Sequence, residues 1–99
     1  MDRDEIIAKL KAVEPQLRAH GVAALYLFGS YARDEARRDS DVDVFVDPGT
    51  QDFYRLNHFV GAYDVIRHAV PGRDIGYGTR NGLSKYIRPA VEREAIRIF

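Results

Sequence analysis

Two aspartates stand two residues apart in Asp39–Val46, a segment that reads DSDVDVFV. Because polar and apolar residues alternate from Asp41 to Val46, this part of the segment predicts a strand on which Asp41 and Asp43 share a face, with roughly 6–7 Å between their α-carbons. Two carboxylates held this close repel each other, and a divalent metal ion is the simplest group that could bind between them. Asp41 and Asp43 are therefore candidate metal ligands, with an ordinary solvated strand face as the alternative.

Gly29 and Ser30 form the second feature that could do chemistry. They follow an apolar run, Val22–Phe28, and begin a short charged segment, Ser30–Arg37. This order predicts a strand, a tight turn and one or two helical turns. Free amides and the helix dipole at such a turn favour a phosphate group, and Gly29 lets the backbone approach it closely. A Gly-Ser pair also occurs in ordinary turns, so this signal depends on its neighbours.

The connection between the two features is only about ten residues long. Two neighbouring strands would then bring a phosphate-binding turn beside a pair of carboxylates. This combination suits one chemical need, which is to hold a nucleoside triphosphate through Mg²⁺ while its α-phosphate is attacked in line.

Helical and strand periodicities predict the elements that position these residues. The N-terminal segment is expected to form two helical pieces, because Ile6, Leu10 and Leu17 keep a helical spacing that Pro15 interrupts. The apolar run Val22–Phe28 predicts a strand buried on both faces.

The second half of the chain predicts a turn, one long helix, a short third strand, a loop and a last helix. Their predicted bounds, in chain order, are Asp47–Thr50, Gln51–Ala69, Arg73–Gly78, Thr79–Leu83 and Ser84–Ala95. Gly76 and Gly78 weaken the short strand, which Ile75 and Tyr77 otherwise favour. The apolar C-terminus, Ile96–Phe99, is expected either to dock on the core or to belong to an interface.

Length and charge limit the class of protein. A chain of 99 residues predicts one domain, 1–99, with a single hydrophobic core. Lys plus Arg equals Asp plus Glu at 15 each, which argues against a dedicated nucleic-acid binder because no excess of positive charge is available.

Residue types that are missing narrow the chemistry. The chain has no cysteine, so thiolate chemistry and cysteine-based zinc sites are excluded. The charged N-terminus and the lack of a long apolar run predict neither a signal peptide nor a membrane span. A cytoplasmic location is the resulting expectation.

The segment Gly29–Arg33, which reads GSYAR, and the segment Ser40–Val46, which reads SDVDVFV, carry a family resemblance. They resemble the signature of the nucleotidyltransferase superfamily related to DNA polymerase beta, in particular its minimal nucleotidyltransferase branch. The resemblance covers nearly the whole chain. It implies an α/β (α+β) fold, with a small mixed sheet of three to four strands packed with helices in a polymerase beta-like nucleotidyltransferase core.

The resemblance also implies roles for particular residues. Gly29 and Ser30 would contact the triphosphate, and Asp41 and Asp43 would ligate Mg²⁺. Arg33 is a further candidate for phosphate contact on account of its charge. The family uses a third carboxylate from a later strand, near the acceptor hydroxyl, to complete a site for two Mg²⁺ ions. Asp74 is matched to that carboxylate, and the match rests on the order of elements. Surface ion pairs are the alternative role for Arg33.

One residue departs from the family pattern. Where the family usually has glycine after Ala-Arg, this chain has Asp34, which adopts a left-handed turn less readily than glycine and adds negative charge near the triphosphate. A helix that runs straight on through Asp34 to Arg37 is the alternative to a turn. The substitution bears on nucleotide affinity more than on the fold.

The function implied by the resemblance is transfer of AMP from ATP to a hydroxyl. Members of the minimal branch act on a tyrosine of a small helical HEPN toxin ribonuclease and so serve as its antitoxin, which predicts a hetero-oligomer with that partner. A non-catalytic module that neutralises its partner by occlusion is the alternative. An antibiotic-modifying nucleotidyltransferase is a further one, although such enzymes generally carry an additional domain for the drug.

Overall fold

A mixed sheet of four strands organises the structure, in the order β3-β2-β1-β4. The structure is a computed structural model that describes the backbone of residues 1–99 and every side chain except that of Leu56. The strands are β1 (Val22–Phe28), β2 (Val42–Pro48), β3 (Ile75–Thr79) and β4 (Ile96–Arg97). β1 is antiparallel to β2 and to β4, whereas β2 and β3 are parallel. The expected mixed sheet of three to four strands is confirmed.

The helices precede, connect and follow these strands along the chain. They are α1 (Arg3–Ala12), α2 (Glu14–Ala19), α3 (Gly29–Ala32), α4 (Leu56–Ala69) and α5 (Arg88–Glu94), with short 3₁₀ turns at Gln51–Tyr54 and Arg80–Gly82. Among the described residues, no helix combines the length and the apolar character needed to cross a membrane.

The two N-terminal helical pieces are confirmed, and local interactions explain their ends. The Asp2 side chain caps α1 by accepting a hydrogen bond from the Glu5 amide at 2.9 Å. Pro15 lies in the first turn of α2, where its missing N–H costs nothing. Gly21 then turns the chain into β1 with a φ of +92°, a conformation that favours glycine.

The core lies on one face of the sheet, between the strands and the N-terminal helices with α4. Its fully buried side chains include Ile6, Leu10, Leu17, Leu25, Leu27, Val44, Val46 and Ile66. On the opposite face, Tyr26 and Phe45 stack with ring centroids 4.8 Å apart, and the Arg80 guanidinium lies over both rings. Tyr26 is only half-buried, so the expectation that β1 is buried on both faces was too strong. An arginine covers this part of the outer face.

Several predicted bounds shift by a few residues. β2 begins at Val42 and runs to Pro48, so Asp41 precedes the strand and Asp47 belongs to it rather than to the turn. The predicted helix Gln51–Ala69 is interrupted at Arg55, whose ψ of 140° is extended. The predicted periodic position Leu56 has a side chain outside the described residues.

The last predicted elements are shorter than expected. The third strand starts at Ile75 and continues through both glycines to Thr79. The last helix, α5, starts only at Arg88, because Pro89 suits a first turn better than a helix interior.

The C-terminal residues dock on the core, which decides between the two expectations for them. Ile98 is 4% exposed, and its amide donates a hydrogen bond to the Leu25 carbonyl at 2.8 Å. The Phe99 carbonyl accepts one from the Leu25 amide at 3.2 Å. This pairing fixes the segment that follows α5.

The substitution Ile98→Ala should lower the free energy of unfolding by about 2–4 kcal/mol, because it removes a buried aliphatic side chain and leaves a cavity. Urea denaturation followed by circular dichroism measures the change. Ile87→Ala is the matched control, since Ile87 is 51% exposed and its truncation should cost less than about 1 kcal/mol. Equal losses for the two variants would show that the C-terminus does not dock.

Candidate active site

Three segments that could do chemistry meet at one edge of the sheet. β1 is antiparallel to β2, and β3 is parallel to it, so the end of β1 lies beside the starts of β2 and β3. In this register Asp43 pairs with Phe28 on one side and with Gly76 on the other. The turn at Gly29 and the carboxylate of Asp43 are therefore brought together, as the sequence predicted.

The Asp43 carboxylate lies between two glycines. A β-carbon placed on Gly29 would overlap Asp43 Oδ2, and one placed on Gly76 would overlap Oδ1. Gly29 has a φ of +76°, which favours glycine in its own right. The two oxygens thus face opposite neighbours, Oδ2 the turn after β1 and Oδ1 the strand β3.

The charge of Asp43 is destabilised by its surroundings. Burial raises the pKa of Asp43, and the negative charge of Asp41 raises it further. The guanidinium of Arg33 opposes these effects, and Glu94 adds to them. An electropositive group between the two aspartates would relieve this cost. Carboxylate oxygens are the donors that Mg²⁺ prefers, so the residues present fit such an ion.

Asp74, the predicted third carboxylate, lies at the same end of the sheet as Asp41 and Asp43. It is exposed and precedes β3, and its carbonyl accepts a hydrogen bond from the Val42 amide at 2.9 Å, which places its backbone beside that of Asp41. Within the described side chains, no group of three His, Cys, Asp or Glu residues could hold a metal ion. The residue of β3 that pairs with Asp43 is Gly76. The metal-binding role of Asp74 stays a prediction, and this conformation does not assemble a three-carboxylate cluster.

The turn after β1 is shorter than predicted. α3 ends at Ala32, and Asp34 adopts the left-handed region with a φ of 59°. The alternative of a helix that continues to Arg37 is therefore wrong. Asp34 takes the conformation that glycine would supply at this position, and aspartate is among the residues that tolerate it.

Arg33 and Gly29 share a partner that sequence reasoning missed. The Gly29 amide donates a hydrogen bond to Glu94 Oε1 at 3.1 Å. Arg33 Nη1 lies 3.0 Å from Glu94 Oε2 and 3.2 Å from Oε1, while Arg33 Nε donates to Glu35 at 2.8 Å. These contacts raise the pKa of Arg33, Glu94 contributing most. Glu94 is 61 residues from Arg33 in the chain, so no local spacing could have indicated the contact.

A cavity of about 260 Å³ opens beside Asp43 on the β3 side. Its lining consists of Phe28, Asp43, Val44, Phe45, Gly76, Tyr77, Gly78, Thr79, Gly82 and Leu83. We call it the β3 slot. A β-carbon on Gly78 would meet nothing within 4 Å, so the missing side chain at this position leaves the space open. The lining contains no lysine or arginine, and its only charged residue is Asp43.

The sequence matches the family model described as a nucleotidyltransferase domain over residues 7–97. The chain belongs to this family. A protein adenylyltransferase, MntA, from Thermococcus cleftensis is 32% identical over 100 residues, which cover 96% of this chain and 94% of the relative. A second relative, from Methanocaldococcus jannaschii and named for the same activity, is 28% identical over 92 residues, or 89% and 91% of the two chains. The family therefore makes the chain an enzyme of the nucleotidyltransferase type.

Solved structures agree with this assignment. One described as a minimal nucleotidyltransferase superposes with a TM-score of 0.80 at 31% identity, over 97% of this chain and 95% of the other. A toxin–antitoxin structure with AMP-PNP matches all of this chain and 73% of the other, with a TM-score of 0.64 at 19% identity. This second likeness shows the fold alone.

The substitution Asp43→Asn should stabilise the protein at pH 7 in buffer that contains a chelator. The folded state holds the Asp43 proton more tightly than the unfolded chain does, so ionisation of Asp43 opposes folding above its folded pKa. The advantage of the variant should shrink as the pH falls through that pKa, because the parent then becomes protonated. Thermal denaturation at several pH values measures this. Asp39→Asn, on an exposed residue of the same segment, is the control, and a destabilised Asp43→Asn would contradict the expectation.

Proposed function

We propose that this protein transfers AMP from ATP, in the presence of Mg²⁺, to a tyrosine hydroxyl of a small helical HEPN toxin and so acts as its antitoxin. The relatives named as protein adenylyltransferases support the reaction type. The toxin–antitoxin neighbour with AMP-PNP supports the idea of a protein partner and an adenine nucleotide.

The position of the Asp43 carboxylate carries the proposal. Its Oδ2 faces the turn at Gly29 and its Oδ1 faces Gly76 and the β3 slot. An in-line displacement needs the leaving group and the attacking hydroxyl on opposite sides of the reacting phosphorus. Phosphates at the turn and an acceptor in the slot satisfy that requirement, with Asp43 between them.

The phosphates would be held by the turn and by Arg33. Ser30 and Tyr31 lie in the first turn of α3, and Arg33 is the residue that caps its end. Mg²⁺ bound by Asp41 and Asp43, with Asp74 as a further ligand, would neutralise the negative charge of the phosphates. In this arrangement the turn and Arg33 orient the triphosphate.

The β3 slot favours an acceptor hydroxyl carried by an apolar group. Phe28, Phe45 and Leu83 provide apolar surface, and the open space beside Gly78 leaves room for a planar ring. A nucleic-acid acceptor would bring phosphates, for which the slot offers no cation. A tyrosine side chain of a partner protein suits the lining, and the partner would supply most of the surface that holds it.

An occluding, non-catalytic antitoxin is the second candidate, and one observation favours it. Glu94 accepts the Gly29 hydrogen bond and pairs with Arg33, so two groups assigned to the phosphates already have a partner. Titration calorimetry with ATP, with and without Mg²⁺, separates the candidates, because an occluding module does not need to bind nucleotide.

Asp41→Asn and Asp43→Asn should each lower AMP transfer by about 100-fold or more, because each removes a ligand that offsets several kcal/mol of phosphate charge. The measurement is the transfer of labelled AMP from ATP to the helical partner in the presence of Mg²⁺. Asp74→Asn tests the third carboxylate, and a comparable loss would support its predicted role. Asp39→Asn should leave transfer unchanged, and parent-like transfer by the Asp41 and Asp43 variants would refute the proposed site.

Gly78→Val should leave stability within about 1 kcal/mol of the parent, since valine suits a strand and meets open space. It should raise the KM for the protein acceptor roughly tenfold or more, because the side chain fills the slot. The affinity for ATP should not change, and Gly78→Ala should have a smaller effect. A loss of ATP affinity with no change in the acceptor KM would place the nucleotide, not the acceptor, in the slot.

A further inference from the structure

Glu94 is the last residue of α5, yet its carboxylate lies at the turn after β1. Its Oε1 accepts a hydrogen bond from the Gly29 amide at 3.1 Å. Arg33 Nη1 contacts both carboxylate oxygens, Oε2 at 3.0 Å and Oε1 at 3.2 Å. A backbone amide and a guanidinium that converge on one anion are the donors that a phosphate oxygen uses. Here the anion comes from the chain itself.

The charges around Glu94 oppose the binding of a triphosphate at this turn. Glu35 and Glu94 both pair with the Arg33 guanidinium, and the negative charges of Asp41 and Glu94 both act on the nearby Asp43 carboxylate. Arg33 donates its Nε to Glu35 and its Nη1 to Glu94, which uses two of the positions from which it could reach a phosphate. A nucleotide would therefore compete with Glu94 for the same donors and be repelled by its charge.

The Glu94 side chain can also move away from Gly29 and Arg33. Its side chain is 25% exposed, and its contacts come from Gly29 and Arg33 rather than from a closed core. The backbone on either side is held independently, by α5 on one side and by the pairing of β4 with β1 on the other. A change of side-chain rotamer is enough to release both donors.

We propose that Glu94 occupies the phosphate donors of the nucleotide-free protein and is displaced when a triphosphate binds, so that this residue sets the affinity for nucleotide. The inference rests on the proposed function in one respect, the position of the triphosphate at Gly29 and Arg33. It adds Glu94 as an affinity-determining residue that contacts neither the acceptor nor the carboxylate pair.

The experiment compares the parent with Glu94→Gln in calorimetric titrations with AMP-PNP and Mg²⁺. Glutamine keeps an oxygen for the Gly29 amide but loses the charge that holds Arg33. Affinity should rise by about two- to tenfold, the range expected for exchange of one partly exposed charged contact. Glu92→Gln is the matched control, because Glu92 is on the same helix and pairs with Arg80 instead. It should leave affinity unchanged.

A second comparison separates competition from a merely structural role. With Arg33→Ala in both proteins, the gain from Glu94→Gln should shrink, because the released cation is absent. In the transfer assay, Glu94→Gln should lower the KM for ATP more than it changes kcat. Unchanged melting temperatures for Glu94→Gln and Glu92→Gln would show that neither result reflects a loss of folding.

The outcomes distinguish this inference from the proposed function. Tighter AMP-PNP binding by Glu94→Gln, with no AMP transfer by any variant, would support the role of Glu94 and refute the enzymatic function. Equal or weaker binding by Glu94→Gln, with transfer intact, would overturn the role of Glu94 alone. If neither protein binds AMP-PNP, both fail.

Discussion

The structure depends on the way one charged side chain fits between two backbones. The Asp43 carboxylate is placed where a side chain at Gly29 or Gly76 would overlap it. Strands pair at a spacing of about 4.8 Å, so a group can lie over a neighbouring strand only where that neighbour lacks a β-carbon. The close pairing of β1, β2 and β3 at this edge and the position of the carboxylate therefore require each other.

The same constraint sets the course of the chain after β1. Gly29 avoids Asp43 with a positive φ, and in that conformation its amide reaches Glu94 while α3 begins. Gly29, a single left-handed residue, thus contacts both the carboxylate on β2 and the glutamate at the end of α5. The second left-handed position, Asp34, follows α3 and turns the chain back toward β2. Both bends keep the connection between the two strands short.

Local sequence signals predicted the centre of the site well. The predicted and observed bounds of β1 agree residue for residue. An apolar run of this length between two glycines is too short for a typical helix and therefore favours a buried strand. The juxtaposition of Gly29 with Asp43 followed from strand alternation and a short connection. Features that depend on register across the sheet could not be predicted in this way. Nothing local indicates that Gly76 is the residue of β3 that pairs with Asp43, and the sequence indicates only that the glycines weaken this strand. Glu94 was missed for the same reason, since its partners are distant in the chain.

The placement of Asp43 between Gly29 and Gly76 also affects the conformational entropy of its side chain. A carboxylate held between two backbones has few rotamers left. The entropic cost of restricting this side chain is therefore part of the free energy of folding and not of cation binding. Asp41, exposed and ahead of the strand, keeps its rotamers in the free protein. The two carboxylates are therefore unequal partners for any cation. Asp43 fixes where the cation lies, while Asp41 adjusts to it and loses its conformational freedom on binding.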